Sequence, residues 1–180
     1  MGLITALRKM KAEKASNEMK RLFADLLQMA RADGEISEDE CDFIFALMDT
    51  AGMKNHVVTT GLEGEGVTLE ELLMYDNIDN RGIKSWISSL IDEWSLLPYP
   101  KDEKKRLKYL LMVISMMITD GESTQEEIIL CHEIARRMGF DKTHVYQCLL
   151  YLAQRSDISP KQMSGLLSYY ENGNPIIDKI

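Results

Sequence analysis

The sequence predicts an all-α fold, a bundle of about seven or eight helices, on three observations. Apolar residues recur at helical spacing in one run after another. The runs begin at Ser, Thr, Asp or Pro, several end at Gly, and no segment alternates convincingly at period two. A whole helix–acidic loop–helix unit also occurs twice. Its loops are Asp33-Gly34-Glu35-Ile36-Ser37-Glu38-Asp39-Glu40 and Asp120-Gly121-Glu122-Ser123-Thr124-Gln125-Glu126-Glu127. The offset of 87 (120 − 33 = 87) also carries Leu26 to Val113, Met29 to Met116, Leu47 to Ile134 and Gly52 to Gly139. An internal repeat of this kind predicts pseudo-two-fold character in the bundle.

Residues 1–14 place Arg8, Lys9, Lys11 and Lys14 around Leu3, Ile4, Leu7 and Met10. This segment reads as an N-terminal arm over 1–15, a frayed turn, with a short amphipathic helix as the other reading. The first full helix is expected from about Ser16 to Ala32, with Met19, Leu22, Phe23, Leu26 and Ala30 on its apolar face. Asp33-Gly34 breaks it. Ser37 and Glu40 then form a capping box, and Cys41, Ile44, Leu47, Met48 and Ala51 line the next helix until Gly52. The stretch 54–81 reads as an irregular insertion, with β-prone Val57-Val58-Thr59-Thr60 inside it and a Thr68/Glu71 capping box opening a short helix. A helix from about Ile83 to Trp94 turns Trp86, Ile87, Leu90, Ile91 and Trp94 inward. Pro98 and Pro100 precede a helix over Lys101 to Ile118 that starts basic and finishes apolar. After the second acidic loop, Thr124 and Glu127 cap a helix ending at Gly139, and Asp141 opens one running to about Ser156. Ser159-Pro160-Lys161-Gln162 opens the last, with Met163, Leu166, Leu167 and Tyr170 on its inner face. The organisation is one helical domain over 16–172, with a C-terminal tail over 173–180.

The 180 residues suffice for a sizeable core, and the twelve methionines suit irregular gaps between helices. A net charge of −8 disfavours a phosphate backbone, so no nucleic-acid partner is expected. Cys41, Cys131 and Cys148 are odd in number and form no C-x-x-C pair, which predicts reduced thiols and a cytoplasmic protein. No apolar run of membrane-spanning length occurs, so no integral membrane segment is expected. A protein partner and a homodimer remain open, the basic Lys101–Lys108 turn being one candidate dock.

The acidic loops match the second half of a calcium-binding EF-hand loop at Asp33, Gly34, Ile36 and Glu40. Upstream, where oxygen ligands are required, stand Arg31 and Met29 in one copy and Ile118 and Met116 in the other, so neither loop is an EF-hand. Two carboxylate clusters remain, and calcium or another divalent cation is the cofactor such clusters suit. Capping explains Glu40 and Glu127 equally well, and least explains Asp33 and Asp120. His132-Glu133 lacks the second histidine of a zinc-protease motif, because Arg136 occupies its place. His56 and His144 have no evident partner, and no serine or cysteine lies in a nucleophile motif, so no catalytic residue is assigned and no enzyme is expected.

The doubled D-G-E-x-[ST]-x-x-E loop, each copy after an apolar helix and before a helix closed by Gly52-Met53 or Gly139-Phe140, resembles the TerB-like family. These are helical bacterial proteins associated with tellurite resistance, similar to the N-terminal region of some J-domain co-chaperones. The resemblance covers about residues 16–156. It implies an all-helical fold, a cytoplasmic role in stress or tellurite response, and divalent-metal binding through loop acids. On this chain those acids are Asp33, Glu40, Asp120 and Glu127, with Glu35 and Glu122 as second choices. The chain departs from the family in its longer 54–81 connection, in Ser123 where an aliphatic residue is expected, and in the extra last helix.

Overall fold

The computed structural model describes residues 3–34, 36–53, 57–59, 66–68, 71, 81–119, 121, 123–155 and 160–172. The described residues form seven helices and one small hairpin: α1 (Leu3–Ala30), α2 (Glu38–Thr50), β1 (Val57–Thr59), β2 (Gly66–Thr68), α3 (Arg81–Trp94), α4 (Glu103–Met117), α5 (Gln125–Arg137), α6 (Lys142–Ala153) and α7 (Pro160–Glu171). The fold is all-α, as the periodicity predicts.

Two elements differ from expectation. Helix α1 runs unbroken from Leu3, so the segment expected to be a frayed arm belongs to the helix. Its residues Leu3 to Ala15 contain no Gly or Pro and are rich in Leu, Ala, Lys and Met, so propensity carries the helix through Ser16 without needing a cap there. Inside the stretch expected to be irregular, β1 and β2 pair antiparallel, with Val57 opposite Thr68, Val58 opposite Val67 and Thr59 opposite Gly66. Their β-branched residues suit a pleated ladder, while three-residue strands are too short to show a period.

The corner that follows α1 and the one that follows α4 repeat in detail. Helices α2 and α5 each span 13 residues and start and stop at positions the same offset apart. The Ala32 N–H donates to the Met29 carbonyl and Thr119 to Met116, both at 3.1 Å. Past the far ends, Met53 donates to the Met48 carbonyl at 2.8 Å and Phe140 to Ala135 at 2.9 Å. These six-to-one closures require a left-handed residue between, supplied by Gly52 (φ 69°) and Gly139 (φ 85°).

The chain divides into two compact units, one of Met1–Leu27 with Ile44–Pro100, the other of Gln28–Phe43 with Lys101–Ile180. The first is built on Leu22, Phe23, Leu26, Ile44, Met48, Ile87 and Trp94, all buried. In the second, α4 packs on α5 and α6, and α6 on α5 and α7, around buried Leu110, Val113, Ile114, Ile134, Val145 and Leu149. Met29, Met48, Met116, Met117, Met138 and Met163 are buried, so methionine serves packing in both units. Leu47, Ala51, Leu152, Leu167 and Tyr170, expected inside, are half-buried.

Candidate functional site

The acidic corners both lie in the second unit. At the first, the Ser37 N–H donates to Glu40 Oε2 at 2.8 Å and the Glu40 N–H donates to Ser37 Oγ at 3.2 Å. At the second, the Thr124 N–H and hydroxyl donate to Glu127 Oε2 at 2.6 and 3.0 Å, and the Glu127 N–H returns to Thr124 Oγ1 at 3.2 Å. Both are complete capping boxes, and their glutamates are buried, 3% exposed at Glu40 and 1% at Glu127. The box expected at Thr68/Glu71 forms too, with the Thr68 N–H donating to Glu71 Oε2 at 2.9 Å. Those bonds hold the exposed Glu71 carboxyl below its ordinary range, the backbone one most.

Asp33 is exposed on the turn at Gly34, whose φ is 111°. Glu35, Asp120 and Glu122 lie outside the described residues, so the meeting of the two loops through those acids does too. Among the described residues no group of three or more His, Cys, Asp or Glu side chains is arranged to hold a metal ion. Ser123, which departs from the aliphatic residue of the first loop, donates its hydroxyl to the Met117 carbonyl at 3.0 Å. It thereby satisfies an acceptor left open at the C-terminus of α4, while Ile36 at the matching position is buried.

Histidines and thiols do not form a nucleophilic pair among the described residues. His132 Nε2 lies 2.6 Å from Tyr170 Oη, and His144 and Asp141 form a further capping box at the start of α6. His56 lies outside the described residues. Burial, then the nearby Arg136 and Lys142, push His132 down to about 4. Burial also raises Cys131 to about 12 and Cys148 to about 11. Buried thiols held protonated are poor nucleophiles. Tyr170, itself raised by burial, has its ring 5.4 Å from that of Tyr146, whose hydroxyl donates to Glu171 at 3.2 Å. This set fixes α7 against α5 and α6.

A polar cluster in the first unit escapes sequence reasoning. Arg21 Nη2 donates to Tyr99 Oη at 2.6 Å and to Asp25 Oδ1 at 3.3 Å, and Tyr99 Oη donates to Asp25 Oδ2 at 2.7 Å. Asp25 is fully buried and Arg21 nearly so. Burial, then the Asp25 charge, raise Tyr99 far above its ordinary range, so it remains a donor. The signal available in sequence was an Arg–Asp pair at i, i+4 among the apolar positions of α1, and a tyrosine between two prolines. The triangle ties the segment after α3 to α1. Comparison of the chain with protein-family models, with curated proteins and with solved structures finds no match.

Proposed function

We propose that the chain is a non-enzymatic, TerB-like interaction domain whose loop glutamates cap helices. The observation that carries this reading is the engagement of Glu40 and Glu127: each is buried and accepts the N–H of its own N-cap residue. A carboxylate so used satisfies orphan donors at the positive end of a helix and needs no cation to balance it. The bond of His132 to a tyrosine and the protonated thiols support the non-enzymatic part. The three buried free thiols support a cytoplasmic setting. The tellurite or stress role and the pseudo-two-fold relation of the corners come from the resemblance and the repeat, and belong to the same proposal. Its partner is a protein that would find a rigid helical scaffold.

The competing reading gives the loops to calcium, through Asp33, Glu35, Asp120 and Glu122 with the two glutamates. A double-mutant cycle on Thr124→Ala and Glu127→Ala, read by urea denaturation, separates the two. Capping predicts a coupling of about 0.5–1.5 kcal/mol in chelator, unchanged by millimolar calcium. Coupling that is absent in chelator and emerges with calcium would make Glu127 a ligand instead.

A further inference from the structure

Two exposed stripes of opposite charge stand in the second unit at the same helical spacing. On α4, Lys104, Lys105 and Lys108 occupy i, i+1 and i+4, with Lys101 one turn before them, and all four are exposed. On α2, Glu38, Asp39 and Asp42 occupy the same i, i+1 and i+4 and are likewise exposed. The opposite faces are buried, by Leu110 and Val113 on α4 and by Cys41 and Ile44 on α2. Among the described residues, none of Lys101, Lys104, Lys108, Glu38, Asp39 and Asp42 forms an ion pair.

The lysine stripe is costly by itself. Lys104/Lys108 is a like-charge pair at i, i+4, which disfavours the helix, and Lys104 sits in the first turn, at the positive end of the helix dipole. Arg106 lies on the same helix, its guanidinium 5.9 Å from the Phe140 ring and its Nη1 donating to the Lys101 carbonyl at 2.7 Å. A matching acidic stripe on the same chain supplies a counter-surface of the right spacing and sign. We propose that the α4 lysine stripe of one copy docks on the α2 acidic stripe of a second copy. The contact is heterologous, so in a pair one copy keeps its acidic stripe free and the other its lysine stripe, and association runs on as an open chain unless the rotation closes a ring. The proposal stands apart from the capping reading, because either use of the loop glutamates leaves both stripes exposed.

Ionic strength decides when the contact forms. Copies of net charge −8 repel at long range. At about 0.1 M salt the Debye length is about 10 Å, which screens that repulsion between whole molecules but spares charges in contact, and at about 1 M it falls to about 3 Å. Sedimentation velocity at these two salt concentrations tests the idea on three proteins. These are the unaltered chain, a basic-stripe reversal (Lys101→Glu, Lys104→Glu, Lys108→Glu) and an acidic-stripe reversal (Glu38→Lys, Asp39→Lys, Asp42→Lys). The unaltered chain is expected to gain mass with concentration at the lower salt and to be monomeric at the higher. Each reversal is expected to be monomeric alone, and an equimolar mixture of the two to associate again. If the acidic-stripe reversal fails to fold, Asp39→Asn with Asp42→Asn replaces it, and loss of self-association is the expected result. An unaltered chain monomeric at every concentration overturns the proposal, as does association that survives either reversal. Capture of a poly-glutamate peptide or of anionic vesicles by the lysine stripe of a chain that stays monomeric would also overturn it, assigning the stripe to another partner.

Discussion

His132 shows how one buried side chain makes stability depend on pH. The residue is 4% exposed and its ring is bonded to Tyr170, and burial holds it at about 4 against an ordinary 6.5. The native state therefore binds this proton less readily than the unfolded chain does. The stabilisation from keeping His132 neutral is complete above about 6.5 and is lost as pH falls from there through about 4. A displacement of that size corresponds to about 3 kcal/mol. Urea midpoints measured from pH 7 down to pH 4 should fall more steeply for the unaltered chain than for His132→Leu. Parallel curves would mean that the imidazole is not buried in solution. The same scale explains which site residues could be read in sequence. Glu40 and Glu127 follow Ser37 and Thr124 by three residues, so their capping bonds are local and legible. The Arg21–Asp25–Tyr99 triangle joins residues 74 and 78 positions apart, and nothing local announces such a bond.

At the scale of the element, the helix ends are set by backbone geometry more than by side-chain contact. Gly139 has φ 85° and Gly52 φ 69°, and a Cβ built on either meets nothing within 4 Å. The cost of a side chain there is conformational alone, about 1–2 kcal/mol for alanine. Gly139→Ala should lower the denaturation free energy by that amount, and Gly139→Asn by less, since asparagine tolerates the left-handed region. Equal losses for both would point to a steric cause instead. Helix ends marked by Gly or by capping boxes were legible because each signal is a few residues long. The start of α1 was not, because propensity alone carries it to Leu3 past a serine that resembles a cap. The β1–β2 hairpin was half-legible: its β-branched residues stood out, but its pairing partner lies across a glycine-rich connection.

For the whole molecule, the periodicity of the apolar runs was enough for an all-α fold, and the doubled corner was enough to match α2 to α5 end for end. The division into two compact units was not legible, since two of its three boundaries fall inside α1 and α2 where the sequence has no linker, and only the third falls at Pro100, after a marked break. The central claim, that the acidic corners serve folding, is a claim about the stability of the entire chain in the presence of a cation. A ligand present at about 100 times its dissociation constant adds roughly 2.7 kcal/mol to the stability of the protein that binds it. For a domain of this size that raises the melting temperature by roughly 5–10 °C. The direct measurement is therefore the melting temperature in chelator and in millimolar calcium. The capping account predicts the same value in both, and a rise of that size, abolished by Asp33→Asn with Asp120→Asn, would contradict it.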